Sequence, residues 1–247
     1  MNNAHAKKFR ILVVGDVISN NRPGGVRRTR RLTSPARAGD MPFFGGAANI
    51  ARIASGMGNT VGFLLLGQTG AEARLHQITH FHDLLARYQV IVFSEHGHCA
   101  PSETNAMIGA ARLAGRRVLV DLDGNGVGIP TGASLMICNA ATLRRLIGTW
   151  RSENELVVKM DMLLSGFHCE GFLVNLHEAG TVLYLPGGAV HFTNMIRCDR
   201  HYLLAAVAAE LKAGISLAKG LCAASDRFDP EAAESGLDSS FPEMALS

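Results

Sequence analysis

No stretch of about 18 consecutive apolar residues occurs in the sequence, so nothing in it reads as a membrane-spanning helix. The opening residues, Met1 to Arg10, are polar and basic and lack an apolar core of signal-peptide length. An excess of one charge is lacking too. A formal net charge of +3 is too small to argue for a nucleic-acid partner. Cysteine is sparse: Cys99, Cys138, Cys169, Cys198 and Cys222 are odd in number and widely scattered. That fits buried or free thiols in a reducing compartment better than a disulfide framework, so a cytoplasmic location is expected. Neither an internal repeat nor a linker rich in Pro, Gly or Ser divides the chain. One domain is therefore expected over residues 1–225, followed by a loose acidic tail over 226–247.

What the sequence does hold is 47% apolar and 18% charged residues, a composition that can bury a large core. Its 27 glycines suit a fold with many tight strand-to-helix turns. Short apolar runs alternate with segments of helical spacing. Strands are expected at Ile11–Val14, Val61–Leu66, Val90–Phe93, Arg117–Asp121, Leu135–Cys138, Phe172–Asn175, Val182–Leu185 and Val190–Phe192. Helices are expected at Ala47–Met57, Ala71–Arg87, after Pro101-Ser102, and at Ala141–Ile147, Glu153–Leu164, Tyr202–Ala213 and Leu217–Ala224. Such alternation predicts an α/β fold: a mainly parallel sheet between two helix layers.

The order of segments adds a resemblance. Gly15-Asp16-Val17 follows the first strand, and Gly45-Gly46-Ala47-Ala48-Asn49 opens a helix. Arg117 to Asp121, Gly132-Ala133-Ser134-Leu135, Asn139, Pro186-Gly187-Gly188 and Ala213 to Leu217 then follow in order. Together they resemble the ribokinase (PfkB) family of carbohydrate kinases. Arg31-Leu32-Thr33-Ser34-Pro35-Ala36 is similar to a lid stretch of the heptose 7-phosphate kinases that supply ADP-heptose for lipopolysaccharide. The resemblance implies a ribokinase-like three-layer α/β/α fold, with a lid over about 18–44 that is reduced here. It also implies ATP and Mg2+ as cofactors and a sugar or sugar-phosphate ligand. Asp16, Gly45, Gly46 and Asn49 would contact the sugar, and Asn139 and Asn175 the nucleotide. Pairing through the lid would make a homodimer, or a complex with an active homologue.

A sugar hydroxyl that attacks a phosphoryl group must lose its proton to a positioned base. Charge building on that group must meet backbone N–H donors at a helix N-terminus. The family supplies both from one Gly-Ala-Gly-Asp turn. Here the matching residues are Cys198-Asp199-Arg200-His201, so both glycines have become larger residues and His201 stands where the base should be. The Asn-x-x-Glu tied to the magnesium site reads Asn139-Ala140-Ala141-Thr142, without its carboxylate. Asn20 stands for a second acidic residue, and Glu95 to Cys99 replaces a stretch that would bring a lysine. Between Gly70 and His82 the chain also skips strands that shape the family's sugar site.

Two classes of function stay open at this point. A working ATP-dependent sugar-phosphate kinase would use His201 or Asp199 as its base. A degenerate relative would bind a ligand or partner without transferring phosphate, and Asp199 would then simply cap a helix. The missing glycines, base and glutamate favour the second. The pairs His80/His82 and His96/His98 form no ligand set at fixed spacing, so no metal site is expected there. Arg22, Arg27, Arg28, Arg30, Arg31 and Arg37 make a basic loop with no aromatic residue interleaved from Ser19 to Met41, which offers nucleic acid no stacking platform.

Overall fold

A computed structural model describes residues 10–15, 46–66, 71–94, 101–122, 130–176, 180–192, 199–211 and 215–227. Their elements run β1 (Arg10–Gly15), α1 (Gly46–Gly56), β2 (Thr60–Leu65), α2 (Ala71–Leu85), β3 (Val90–Ser94), α3 (Pro101–Leu113), β4 (Arg117–Asp121) and β5 (Leu135–Asn139). They continue with α4 (Ala140–Ile147), α5 (Glu153–Gly166), β6 (Gly171–Asn175), β7 (Thr181–Leu185), β8 (Gly188–Phe192), α6 (Arg200–Glu210) and α7 (Leu217–Asp226). The strands form a single sheet in the order β2-β1-β3-β4-β5-β6-β7-β8. Pairings from β2 to β6 are parallel, and β7 and β8 close the sheet as an antiparallel hairpin. Gly187, at φ +81°, makes the hairpin turn, a left-handed conformation that glycine adopts without steric cost.

Alternation along each strand sorts side chains into two cores. Leu12, Val14, Ile91, Phe93, Val118 and Val120 pack beneath α2, α3, α4 and α5, together with Phe81, Ile108, Leu143 and Met160. Ile11, Val13, Val90, Val92, Leu119 and Ile137 face the other way, towards Ile50 of α1, Leu203 and Val207 of α6, and Leu221 of α7. Strands buried on both faces read as continuous apolar runs, which is why the sequence shows no polar alternation in them. Each such side chain removed from water contributes about 1.5–3 kcal/mol. The result is the three-layer α/β/α arrangement. Among the described residues no helix is long and apolar enough to cross a membrane.

Most helix boundaries differ by one or two residues from the sequence reading, and α6 and α7 differ in ways that matter. α6 begins at Arg200, because Asp199 caps it, and ends at Glu210 instead of Ala213, with the Leu211 N–H returning to the Val207 carbonyl. α7 runs two residues beyond Ala224, through Asp226, so the first residue assigned to the tail lies in the helix. Arg227 holds that end in place by an ion pair, its guanidinium 2.5 Å from the buried Glu210 carboxylate. The lid stretch 18–44 lies outside the described residues, as do Asp16, Gly45 and the rest of the tail.

Candidate functional site

In open α/β sheets ligands bind beyond the carboxyl ends of the strands, where connections leave in opposite directions. That point here is the end of β1: the chain turns out through α1 to β2 on one side and returns through α2 to β3 on the other. Strand register then fixes what stands along this edge. Gly15 pairs with Ser94 and Ser94 with Asp121, while Asn139 pairs with Asn175. Apolar strands thus end in a row of small or polar residues. Two helices of the same layer, α1 and α6, begin above this row.

The α1 corner is built from small residues packed without slack. A side-chain carbon placed on Gly15 would lie 2.1 Å from the Ser94 carbonyl oxygen and 2.6 Å from the Ala47 methyl. Only glycine fits there. Gly46, Ala47 and Ala48 are buried in the first turn, and Asn49 is half-buried. The Asn49 side-chain oxygen accepts from an Arg52 guanidinium nitrogen at 3.0 Å, one turn along.

The α6 corner carries charge instead. Asp199 is the N-cap: its Oδ1 accepts from the backbone N–H of His201 at 2.8 Å and of Tyr202 at 3.2 Å. The next residue, Arg200, reaches across to the sheet and sets its Nε 3.0 Å from Asp121 Oδ1. The Asp121 side chain is 1% exposed and that of Arg200 is 19% exposed, so the pair is screened little by water. Ser94 donates its hydroxyl to Asp121 Oδ2 at 3.1 Å. His201 lies between two carboxylates, with Nδ1 3.5 Å from Asp199 Oδ1 and Nε2 3.9 Å from Asp121 Oδ2. Both separations exceed a good hydrogen bond, so neither of these two contacts locks the imidazole.

On the opposite side of the edge, Asn139 caps α4, its Oδ1 accepting from the Thr142 N–H at 2.8 Å. Asn175, its neighbour in register, is buried. Thr142 is fully buried, and Arg145 donates to its hydroxyl at 3.1 Å. A guanidinium therefore stands beside the position where the resemblance implies a magnesium-linked glutamate. These residues do not fit a divalent cation. Among the described residues no group of three His, Cys, Asp or Glu side chains comes together to hold a metal. Burial pushes the Cys138 thiol on β5 up to about 12, with the nearby Arg200 charge opposing that shift and Asp121 adding to it. The thiol stays protonated at neutral pH and is no nucleophile.

His201 and Asp199, the candidate bases, thus share one corner with Arg200, and with Asp121 and Ser94 as neighbours that sequence reasoning did not single out. Asp121 and Ser94 carried a usable signal: each is the polar last residue that follows an apolar run in a parallel strand. Gly46 and Asn49 begin the adjacent α1 corner, and Asn139 and Asn175 lie further along the same edge. Asp16 and Gly45 fall outside the described residues, as do His96 and His98. His80 and His82 both lie in α2, two positions apart, where they do not share a face.

No protein-family model matches the chain. Among curated proteins it is 36% identical over 104 residues to the bifunctional protein HldE of Azotobacter vinelandii, covering 42% of this chain and 22% of that protein. It is 30% identical over 107 residues to the D-beta-D-heptose 7-phosphate kinase of Bordetella bronchiseptica, covering 43% of this chain and 34% of that one. The chain thus matches between about a fifth and a third of the length of these relatives. Among solved structures, phosphofructokinase-2 of Escherichia coli in complex with fructose-6-phosphate superimposes with a TM-score of 0.59 at 12% identity, covering 88% of this chain and 92% of that one. Phosphomethylpyrimidine kinase of Clostridium difficile does so with a TM-score of 0.55 at 10% identity, covering 88% and 98%. The fold is that of the ribokinase-like kinases, and part of the sequence is similar to heptose 7-phosphate kinases.

Proposed function

We propose that this chain is a carbohydrate-kinase-like protein, allied to heptose 7-phosphate kinases, that binds a ligand or partner and is impaired in phosphoryl transfer. The observation that carries the reading is the start of α6. The His201 and Tyr202 amides that would meet a phosphoryl oxygen donate to the protein's own Asp199 carboxylate instead. Losing one such donor costs about 10²- to 10³-fold in rate, and losing a general base about 10²- to 10⁴-fold. The two losses overlap because the parts act as a unit. Phosphoryl transfer rests mainly on positioning and charge stabilisation, so either loss leaves a poor kinase. Thr142 and Arg145 in place of a metal-linked carboxylate support the same conclusion.

A second reading has its own observation. His201 lies between Asp121 and Asp199, and a base oriented by a carboxylate is a recurring catalytic arrangement. In that reading the chain is an active ATP-dependent sugar-phosphate kinase with His201 or Asp199 as base. A coupled assay of ATP turnover with heptose 7-phosphate separates the two. The first reading expects no turnover above background. Turnover by the wild type that disappears in His201→Ala or Asp199→Asn would establish the second. Asp199→Asn is the informative change at its position, since asparagine caps a helix as well as aspartate does. A homodimer or an active homologue is the partner this reading favours, and sedimentation with and without such a homologue tests it.

A further inference from the structure

The ion pair between Arg200 and Asp121 is not needed to start α6, because Asp199 already caps that helix. Nor does the sheet need a charge at this place: Ser94, the neighbouring strand's last residue, is neutral and buried. A buried ion pair is weak support for a fold, since removing two charges from water offsets most of their attraction. What the pair does is fill space and cancel charge beside a helix N-terminus at the carboxyl edge of a parallel sheet. Such a place otherwise attracts anions, because free amides and the helix dipole both favour negative charge.

We propose, resting on the functional reading above, that Asp199 and Arg200 are built-in occupants of this cradle and close it to phosphate-bearing ligands. Asp199 supplies the internal anion, accepting from the His201 and Tyr202 amides. Arg200 supplies the internal cation and is anchored by Asp121, which Ser94 holds from the other side. An incoming phosphate would have to displace one carboxylate from the amides. It would then face a second, Asp121, as soon as the guanidinium left it. His201 does not change this balance, because its imidazole already faces both acids.

The test is calorimetric titration and thermal shift of the full chain with inorganic pyrophosphate. The wild type and D121N/R200M, which keeps the volume and removes both charges of the pair, are expected to show no binding. The triple variant D121N/D199G/R200G empties the cradle without leaving a buried charge unpaired, and glycine still serves as an N-cap. It is expected to bind pyrophosphate at least about tenfold more tightly than the wild type, the worth of one charge-assisted hydrogen bond. Wild-type binding that weakens in D121N/R200M would make Arg200 a ligand of the anion and overturn the proposal. So would a folded triple variant that ignores pyrophosphate. If the triple variant does not fold, the other two proteins decide: equal indifference supports closure, and measurable wild-type binding refutes it. Pyrophosphate binding by the wild type without ATP turnover sinks this inference alone, whereas ATP turnover by the wild type sinks the functional reading beneath it.

Discussion

The two helix starts at the carboxyl edge, α1 and α6, sit in the same layer above neighbouring parts of one row of strand ends, yet they are built on opposite principles. At α1 small residues bring backbone against backbone until no side chain fits on Gly15. At α6 long charged side chains fill the corner, and each charge is answered from within the chain. The first corner keeps the pattern that the resemblance assigns to a sugar site, and the second departs from the pattern it assigns to phosphate transfer. The residues at this edge can therefore depart from that pattern while the fold that presents them stays intact, because the layers are held by the two apolar cores and not by the edge.

The largest effect should come from breaking the charge balance at α6. Arg200→Ala leaves Asp121 buried and uncompensated, and stability should fall by about 3–5 kcal/mol in urea or thermal unfolding. Asp121→Asn combined with Arg200→Met should recover most of that loss, because a neutral pair of similar volume carries no desolvation cost. A small loss in the single variant would mean that water reaches Asp121 and that the corner is more open than described. Gly15→Ala tests the other corner. Its new methyl meets a backbone oxygen that cannot swing away, so about 1–3 kcal/mol should be lost to overpacking. Gly109→Ala, in the middle of α3 where an added carbon meets nothing within 4 Å, should instead stabilise by up to about 1 kcal/mol.

The fold was legible because its signals are local and repeat. Each parallel strand is a short apolar run of β-branched and aliphatic residues, and the alternation with helical spacing implies the layers. Ends of helices were less legible: the Asp199 cap could be read as one alternative, yet periodicity placed the start of α6 at Tyr202 and its end at Ala213, while the helix runs Arg200–Glu210. At the site, the altered Cys198-Asp199-Arg200-His201 turn could be read, but not what its residues would touch. The pairing of Arg200 with Asp121 joins the start of α6 to the end of β4, residues distant in the chain. Spacing along a sequence carries no signal for a contact of that kind. The hydrogen bond from Ser94 to Asp121 depends likewise on strand order, which follows only once the sheet is assembled.

A smaller effect separates capping from charge at α6. Asp199→Ala removes the acceptor for two amides and should cost about 1 kcal/mol, while Asp199→Asn should cost close to nothing. An equal loss in both would assign the role of Asp199 to its charge beside His201, and would blur the contrast between the two corners.

The smallest effect on stability, and the sharpest on binding, belongs to Asn49. Its bond with Arg52 is an exposed pair one turn apart on α1, an arrangement worth only a few tenths of a kcal/mol. Asn49→Ala should therefore leave the unfolding midpoint within about 0.5 kcal/mol of the wild type. If the α1 corner still holds a sugar, heptose 7-phosphate should raise the melting temperature of the wild type and not that of the variant. The carbohydrate hydroxyls, not the phosphate, would then be what the protein grips, as the proposed closure of the α6 corner requires. A shift of equal size in both proteins would place the ligand elsewhere, and the small residues of α1 would then serve only to let that helix lie close on β1.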